Sequence, residues 1–338
     1  MNSVKVYGLG WHEKFSSSVM DFLIEPLRGK LKMAFITWDG TTDFSLSDHS
    51  PVVFCQFLPP ASVLAEPELN ITWIPMWDNV ALYPPDWWFR IPSHLKIVSF
   101  SARIDALAAK SGHRNISLRF YKNPDHFTTS DWSKHLHLFY WNRIDMISPG
   151  YLFRFCNKLK IREITLINRP DPGCRPFSTE DVAFLRRRFK VNVITHFLDH
   201  SEYFRLLSLA NLFLAPRWNE GIGMSFIEAM CAGQCVFAVD NPTMNEYITH
   251  KSNGVLLENK LFSPSLKLRV VNKVRRLAGW YIPDYSENWP SLSGDQDLAG
   301  LKRPELESMA LSARETMQTG FQRWSASLDQ FASFIETR

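Results

Sequence analysis

Two glutamates, Glu220 and Glu228, stand with seven residues between them in the stretch from Leu212 to Gly233, and theirs are the side chains whose type and spacing could do chemistry. The apolar run Leu212-Phe213-Leu214-Ala215 reads as a buried strand that ends at Pro216. A loop with Gly221 and Gly223 follows. A helix then reads from near Met224 to Gly233, a residue type suited to the position just past a helix end. Glycines beside a helix N-terminus expose backbone N–H groups that can hold an anion or the hydroxyls of a sugar. Glu220 lies just outside that helix, with a carboxylate free to point into a cleft, and Glu228 lies about one turn inside it. Ligands of open α/β sheets bind at the carboxyl ends of the strands, where this loop must be. Plainer readings stand beside these. Ser225 and Glu228 fit a capping box, Glu220 fits a solvated loop acid, and the two glycines fit ordinary turns.

The elements that must position this run form two successive series. Short apolar runs alternate with amphipathic stretches, the pattern of parallel α/β structure. Strands are expected at Val4–Leu9, Met33–Thr37, Val52–Phe57, Ile71–Pro75, Lys96–Phe100 and Ile116–Phe120, with a helix over Ser17–Leu27. The series restarts with strands at His137–Trp141, Glu163–Ile167, Val191–Thr195, Leu212–Ala215, Cys235–Val239 and Gly254–Leu257. Helices are expected at Val182–Arg188, Glu202–Ala210 and Ser225–Cys231, the first capped by Ser178-Thr179-Glu180-Asp181. Polar, turn-like residues at 122–135 mark a boundary. The domains read as 1–125, 126–303 and a C-terminal helix over 304–338, after a loop rich in Pro, Ser, Gly and Asp at 281–304.

Length and composition fit this picture. A chain of 338 residues suits two domains, and 45% hydrophobic content gives each a core. The net charge of +4 is spread too thinly for a nucleic-acid binder; only Arg186-Arg187-Arg188 forms a run. Five widely spaced cysteines, Cys55, Cys156, Cys174, Cys231 and Cys235, make no disulfide framework and no zinc pattern. Neither a signal peptide nor a membrane-spanning run is read, so a cytoplasmic protein is expected.

The run Glu-Gly-x-Gly-x-x-x-x-Glu-Ala-Met-x-x-Gly at 220–233, followed by a strand, Asn245-Glu246-Tyr247-Ile248 and Asn253-Gly254-Val255-Leu256-Leu257, resembles the donor-site signature of retaining GT-B glycosyltransferases, and more narrowly of glycosyltransferase family 4. The match is strong over residues 195–258. The resemblance implies an α/β GT-B fold, two Rossmann-like domains facing across a cleft with a C-terminal helix packing across them. It implies Glu220 beside the transferred sugar, and amides of Gly221, Ile222, Gly223, Met224 and Ser225 on sugar hydroxyls or diphosphate. It places Glu228 on the ribose and Arg143, after the first strand of the second domain, on the diphosphate.

A lysine that the family places after that arginine is missing, because Ile147-Ser148-Pro149-Gly150 stands there; Arg169 or Arg217 are weaker candidates to contribute instead. Trp77 and Asp78, after an expected first-domain strand, are the acceptor-side candidates, with His12 weaker. No cofactor and no metal are expected. The co-substrate is a UDP- or GDP-sugar, and the acceptor a glycan or a lipid-linked saccharide, with a peripheral membrane contact through the arginine run or first-domain aromatics. The alternatives are another nucleotide-sugar activity, such as an epimerase, and a catalytically silent module that binds sugar nucleotides or scaffolds polysaccharide assembly. The missing lysine favours the silent module and the intact glutamate pair opposes it.

Overall fold

A computed structural model describes residues 3–10, 19–38, 50–144, 147–215, 217–257, 298 and 300–338. His12, most of the loop at 281–304 and the start of the helix expected at Ser17 lie outside them. The described residues divide into two compact units. One comprises 1–121, 219–224 and 319–338; the other comprises 122–218 and 225–318.

The first unit holds a parallel sheet of six strands, β1 (Val4–Leu9), β2 (Met33–Trp38), β3 (Val52–Gln56), β4 (Ile71–Pro75), β5 (Lys96–Ser99) and β6 (Asn115–Ser117), in the order β2-β1-β3-β4-β5-β6. Its central strands are buried along nearly their whole length, as parallel strands covered on both faces must be. Strand β3 stops one residue before the expected Phe57, where Gln56 takes a φ of 76°. Helix α1 (Ala102–Lys110), capped by the Ser101 hydroxyl on the Arg103 amide, was not read from the sequence.

The second unit repeats the plan with β7 (His137–Trp141), β8 (Glu163–Ile167), β9 (Lys190–Ile194), β10 (Leu212–Leu214), β11 (Cys235–Val239) and β12 (Val255–Leu257), in the order β12-β11-β10-β7-β8-β9. All its pairings are parallel. Its longer helices before residue 300 are α2 (Pro149–Lys158), α3 (Thr179–Arg186), α4 (His200–Ser208) and α5 (Met224–Cys231), with a single turn at Met244–Tyr247. Ser148 caps α2, and Pro149 begins it; this helix too was not read from the sequence. Ser178 and Asp181 form a full capping box on α3, and Asp199 caps α4, which starts at His200, two residues before the expected Glu202.

The expected single C-terminal helix is two, α6 (Arg303–Ala326) and α7 (Leu328–Glu336), broken at Ser327. Within the first unit, Trp324 packs edge-on against Phe120 with ring centroids 5.4 Å apart, and Phe331 against Phe100 at 6.3 Å. The last carbonyls of α7 would be orphaned at a helix end. Lys96, 3% exposed, donates to the carbonyls of Phe334 (2.7 Å), Ile335 (3.0 Å) and Thr337 (2.6 Å), and Asn70 donates to Glu336 (2.8 Å). Burial, then the Arg114 charge, lower the Lys96 pKa to about 7. Three ammonium N–H groups on three carbonyls oppose that shift.

Gly320 lets α6 approach Tyr121 so closely that a Cβ there would overlap the tyrosine ring. Alanine is the better helix former by ~1 kcal/mol, yet overpacking against a buried ring costs ~2–3 kcal/mol. Gly320→Ala should therefore lower stability in urea unfolding, and Tyr121→Ala should largely relieve the loss; additive effects of the two substitutions would refute the clash.

Candidate functional site

The glutamate run folds as the sequence pattern requires. Strand β10 ends at Leu214, a loop carries Glu220 to Gly223, and α5 begins at Met224. Gly223 has a φ of 83°, a conformation side chains rarely adopt, and it turns the chain into the helix. Ser225 lies inside the helix rather than at its cap position. Every residue of α5 from Ser225 to Cys231 is buried.

The loop 219–224 belongs to the first unit, a placement the sequence did not suggest. A methyl group added at Gly221 would lie 2.9 Å from the Met76 Cβ and 3.1 Å from Asp78 Oδ1. Only a glycine lets the loop seat on the turn after β4. Asp78, an acceptor-side candidate, is thus brought against the residue next to Glu220. Trp77, the other candidate, is half-buried and packs on the apolar core of the first unit. Glu220 itself is 5% exposed. A carboxylate so deep in protein keeps its charge only where polar partners surround it.

Glu228 lies in the second unit and is 8% exposed. Its Oε1 accepts from the Lys122 ammonium at 2.7 Å, and both side chains are nearly buried. Lys122 also sits 5.9 Å from the centre of the Phe204 ring, a cation–π distance. Burial and the Glu228 carboxylate push the Tyr203 hydroxyl well above its ordinary pKa, and Arg143 pulls it back in part. Tyr203 therefore stands within electrostatic reach of both Glu228 and Arg143. The Cys231 thiol, raised by burial and by Glu228, donates to the Lys122 carbonyl at 3.6 Å. All five cysteines are free.

The expected cations come together in part. Arg143, following β7, contacts the Asp171 carboxylate through Nε and Nη2, each at 3.3 Å. Arg217, following β10, reaches Asp171 Oδ2 at 3.2 Å. Arg169 turns away, its guanidinium 5.0 Å from the Phe197 ring centre, and meets Trp141 only through its backbone carbonyl. Ile147, where the lysine was expected, is buried. Lys122, Asp171 and Tyr203 were missed in the sequence. Asp171 in Arg169-Pro170-Asp171, just after a strand, was the one local signal available.

Among the described residues there is no group of three or more His, Cys, Asp or Glu side chains able to share a metal ion, and no helix long and apolar enough to cross a membrane.

The comparisons with known proteins bear on the fold and on one segment of the chain. Residues 189–270 match the family model described as glycosyl transferases group 1. Comparison with curated proteins gives no match. Among solved structures, sucrose-phosphate synthase from Thermosynechococcus elongatus superposes with a TM-score of 0.66 at 11% identity, covering 98% of each chain. The Anabaena protein HepE, in complex with UDP and glucose, superposes with a TM-score of 0.57 at 11% identity, covering 98% of this chain and 100% of its own. A glycosyltransferase from Rickettsia africae gives 0.58 at 12% identity over 99% and 98%. At such identities the likeness speaks for the fold. The chain is an α/β protein of the GT-B glycosyltransferase fold and a transferase enzyme, and its residues 189–270 match the glycosyl transferases group 1 model.

Proposed function

We propose that this protein transfers a hexose, or a similar sugar, from a nucleotide-sugar donor to a glycan or lipid-linked acceptor, as a retaining enzyme of glycosyltransferase family 4. The observation that carries the reading is the Glu220–Glu228 run itself, a strand, a glycine loop and a buried helix bearing both carboxylates. UDP or GDP is the nucleotide. UDP is favoured by HepE, which was solved with UDP and with UDP-glucose.

Each residue then has a task. Glu228 accepts hydrogen bonds from the ribose hydroxyls, with Lys122 holding its orientation. Amides of Gly221 to Ser225 hold sugar hydroxyls or the diphosphate, and Arg143 offsets the charge of the diphosphate. Glu220 supports the positive charge that develops on the sugar as the anomeric bond breaks. Fixed charges aimed at developing charge are the largest single source of such catalysis. The departing diphosphate takes the acceptor proton, so no separate strong base is required. Asp78 binds an acceptor hydroxyl. Exposed Leu82, Tyr83 and Phe89, in the turn that follows, would suit the lipid of a lipid-linked acceptor and a peripheral contact at the inner face of a membrane.

Metal independence rests on the arginines as the counter-charge. The chain does carry one Asp-x-Asp, Asp295-Gln296-Asp297, outside the described residues, and such a pair can hold a divalent ion on a diphosphate. Thermal unfolding in the presence of UDP-, GDP-, dTDP- and ADP-sugars, with and without EDTA, tests the reading. One nucleotide series should raise the melting temperature equally in both conditions, since a ligand that binds only the folded state stabilises it by ~2.7 kcal/mol at a hundredfold excess over Kd. No response to any series would refute a donor site, and a response abolished by EDTA would refute metal independence.

A further inference from the structure

We infer that a groove of about 590 Å³ along helix α3 is a second ligand site, which takes a phosphate monoester carrying an apolar body. The groove lies wholly within the second unit and gives a role to two members of the arginine run at 186–188. It is separate from the donor site and does not depend on that reading.

One wall of the groove is α3 itself. Ser178, Val182 and Arg186 stand four residues apart, with Thr179, Ala183 and Arg187 beside them, so the six form one stripe down the helix. The other wall is Val193 in β9 and Thr195 just past it, two residues apart and so on one face of the strand, with Asn168 just after β8. Strand β9 is the last in the order β10-β7-β8-β9, so the groove lies at the edge of the sheet. Three strand spacings, about 14 Å, separate β9 from β10, the strand that leads into the glutamate run.

The charge in the groove is all of one sign. Arg186 ends α3 and Arg187 follows at its C-cap. Among the described residues neither guanidinium meets a carboxylate. Arg186 Nη2 reaches the Val191 carbonyl at 3.5 Å, and the Arg187 guanidinium lies 6.0 Å from the Phe184 ring centre. The two acids of α3, Glu180 and Asp181, fall outside the stripe, and Asp181 is taken up in the capping box with Ser178. Cations in a last helical turn suit the helix dipole, which accounts for their place on the helix but not for the cavity they line.

The lining sets the chemistry of the ligand. Guanidinium forks match the oxygens of a phosphate, and a phosphate monoester brings ~1.5–2 negative charges at neutral pH against two positive ones. A carboxylate would leave one arginine uncompensated. Between the arginines and the hydroxyls of Ser178, Thr179 and Thr195 the walls are apolar, from Val182, Ala183 and Val193. An apolar body attached to the phosphate therefore lies along the groove. The volume is that of a small-molecule site.

Calorimetric titration with inorganic phosphate and with octyl phosphate below its micellar concentration, each repeated with UDP present, tests the site. Octyl phosphate should bind about tenfold more tightly than inorganic phosphate, the gain expected from burying about two methylenes, and UDP should not displace it. Arg186→Gln and Arg187→Gln should each weaken octyl phosphate about tenfold, the low end for a charge-assisted hydrogen bond because both side chains are exposed. Ala183→Leu, at an exposed position in mid-groove, should erase the advantage of octyl phosphate and leave inorganic phosphate unchanged. Flotation with phosphatidylcholine vesicles, with and without phosphatidic acid, identifies the source. Binding to the acidic vesicles alone, competed by octyl phosphate, supports the site with a lipid headgroup as its ligand; octyl phosphate binding without vesicle binding supports it with a soluble phosphate ester. Equal affinity for the two phosphates, unchanged affinity in the arginine variants or displacement by UDP would overturn the inference. Vesicle binding without octyl phosphate binding would overturn it as well, leaving a charged surface and no groove.

Discussion

Glu220→Gln should lower sugar transfer ~10²–10³-fold while nucleotide affinity stays within about threefold of the parent, the range lost when one preorganised electrostatic group is removed from an acyl- or glycosyl-transfer site. The substitution is isosteric. It removes a charge and leaves shape and packing, so the loop seated by Gly221 on Met76 and Asp78 should hold its place. If Glu220 supports charge only in the transition state, the loss falls on kcat and on kcat/KM alike. A rise in KM for donor with kcat unchanged would assign Glu220 to ground-state binding instead. Unchanged transfer would return it to the plain reading of a loop acid.

Glu228→Ala is the second large effect, and its signature is the reverse. It should weaken nucleoside-diphosphate binding ~10²–10⁴-fold, since a carboxylate accepting two hydroxyls contributes ~1.5–3 kcal/mol for each charge-assisted bond. It should also cost ~3–5 kcal/mol of stability, because removing one partner of a buried pair strands the other charge. Lys122 is that stranded charge, with its side chain 13% exposed. Adding Lys122→Met should restore most of the stability and none of the nucleotide affinity. Calorimetry on the single and double variants, beside their urea unfolding curves, separates the two losses. If the double variant regains affinity, Glu228 acts through packing and not through the ribose.

These two predictions differ in how far they could be read from sequence. The strand–loop–helix around Glu220 and Glu228 was legible because every part of it is local: an apolar run, glycines at the turn and a glycine just past the helix. The twelve strands were legible for a similar reason, since parallel strands buried on both faces read as apolar runs. Their ends moved by one to three residues, the most at β6, which ends at Ser117 rather than Phe120, and backbone conformation decided the end of β3 at Gln56. Helices α1 and α2 were missed although Ser101, Ser148 and Pro149 carry their start signals. The division of the C-terminal helix at Ser327 left no sign in the apolar spacing of Phe321, Trp324, Leu328 and Phe331.

The charge partners were not legible. Lys122 meets Glu228 across 106 residues, and Asp171 meets Arg143 and Arg217 across 28 and 46. Strand order brings these loops together, and strand order is a property of the sheet, absent from any window of sequence. The same holds for residues 219–224, whose place in the first unit depends on a close approach that only Gly221 permits. Trp77 illustrates the converse. Its type suggested a sugar platform, and its half-buried ring also packs on the apolar core, a contact that no local window shows.

The most direct test of the central claim is release of nucleoside diphosphate from the donor that stabilises the protein, measured with acceptor present for the parent and for Glu220→Gln, each with EDTA. The account predicts steady release by the parent, unaffected by EDTA, and near loss of release in the variant at unchanged donor affinity. Tight donor binding with no release by the parent across glycan and lipid-linked acceptors would contradict it and leave a module that binds sugar nucleotides without transferring them.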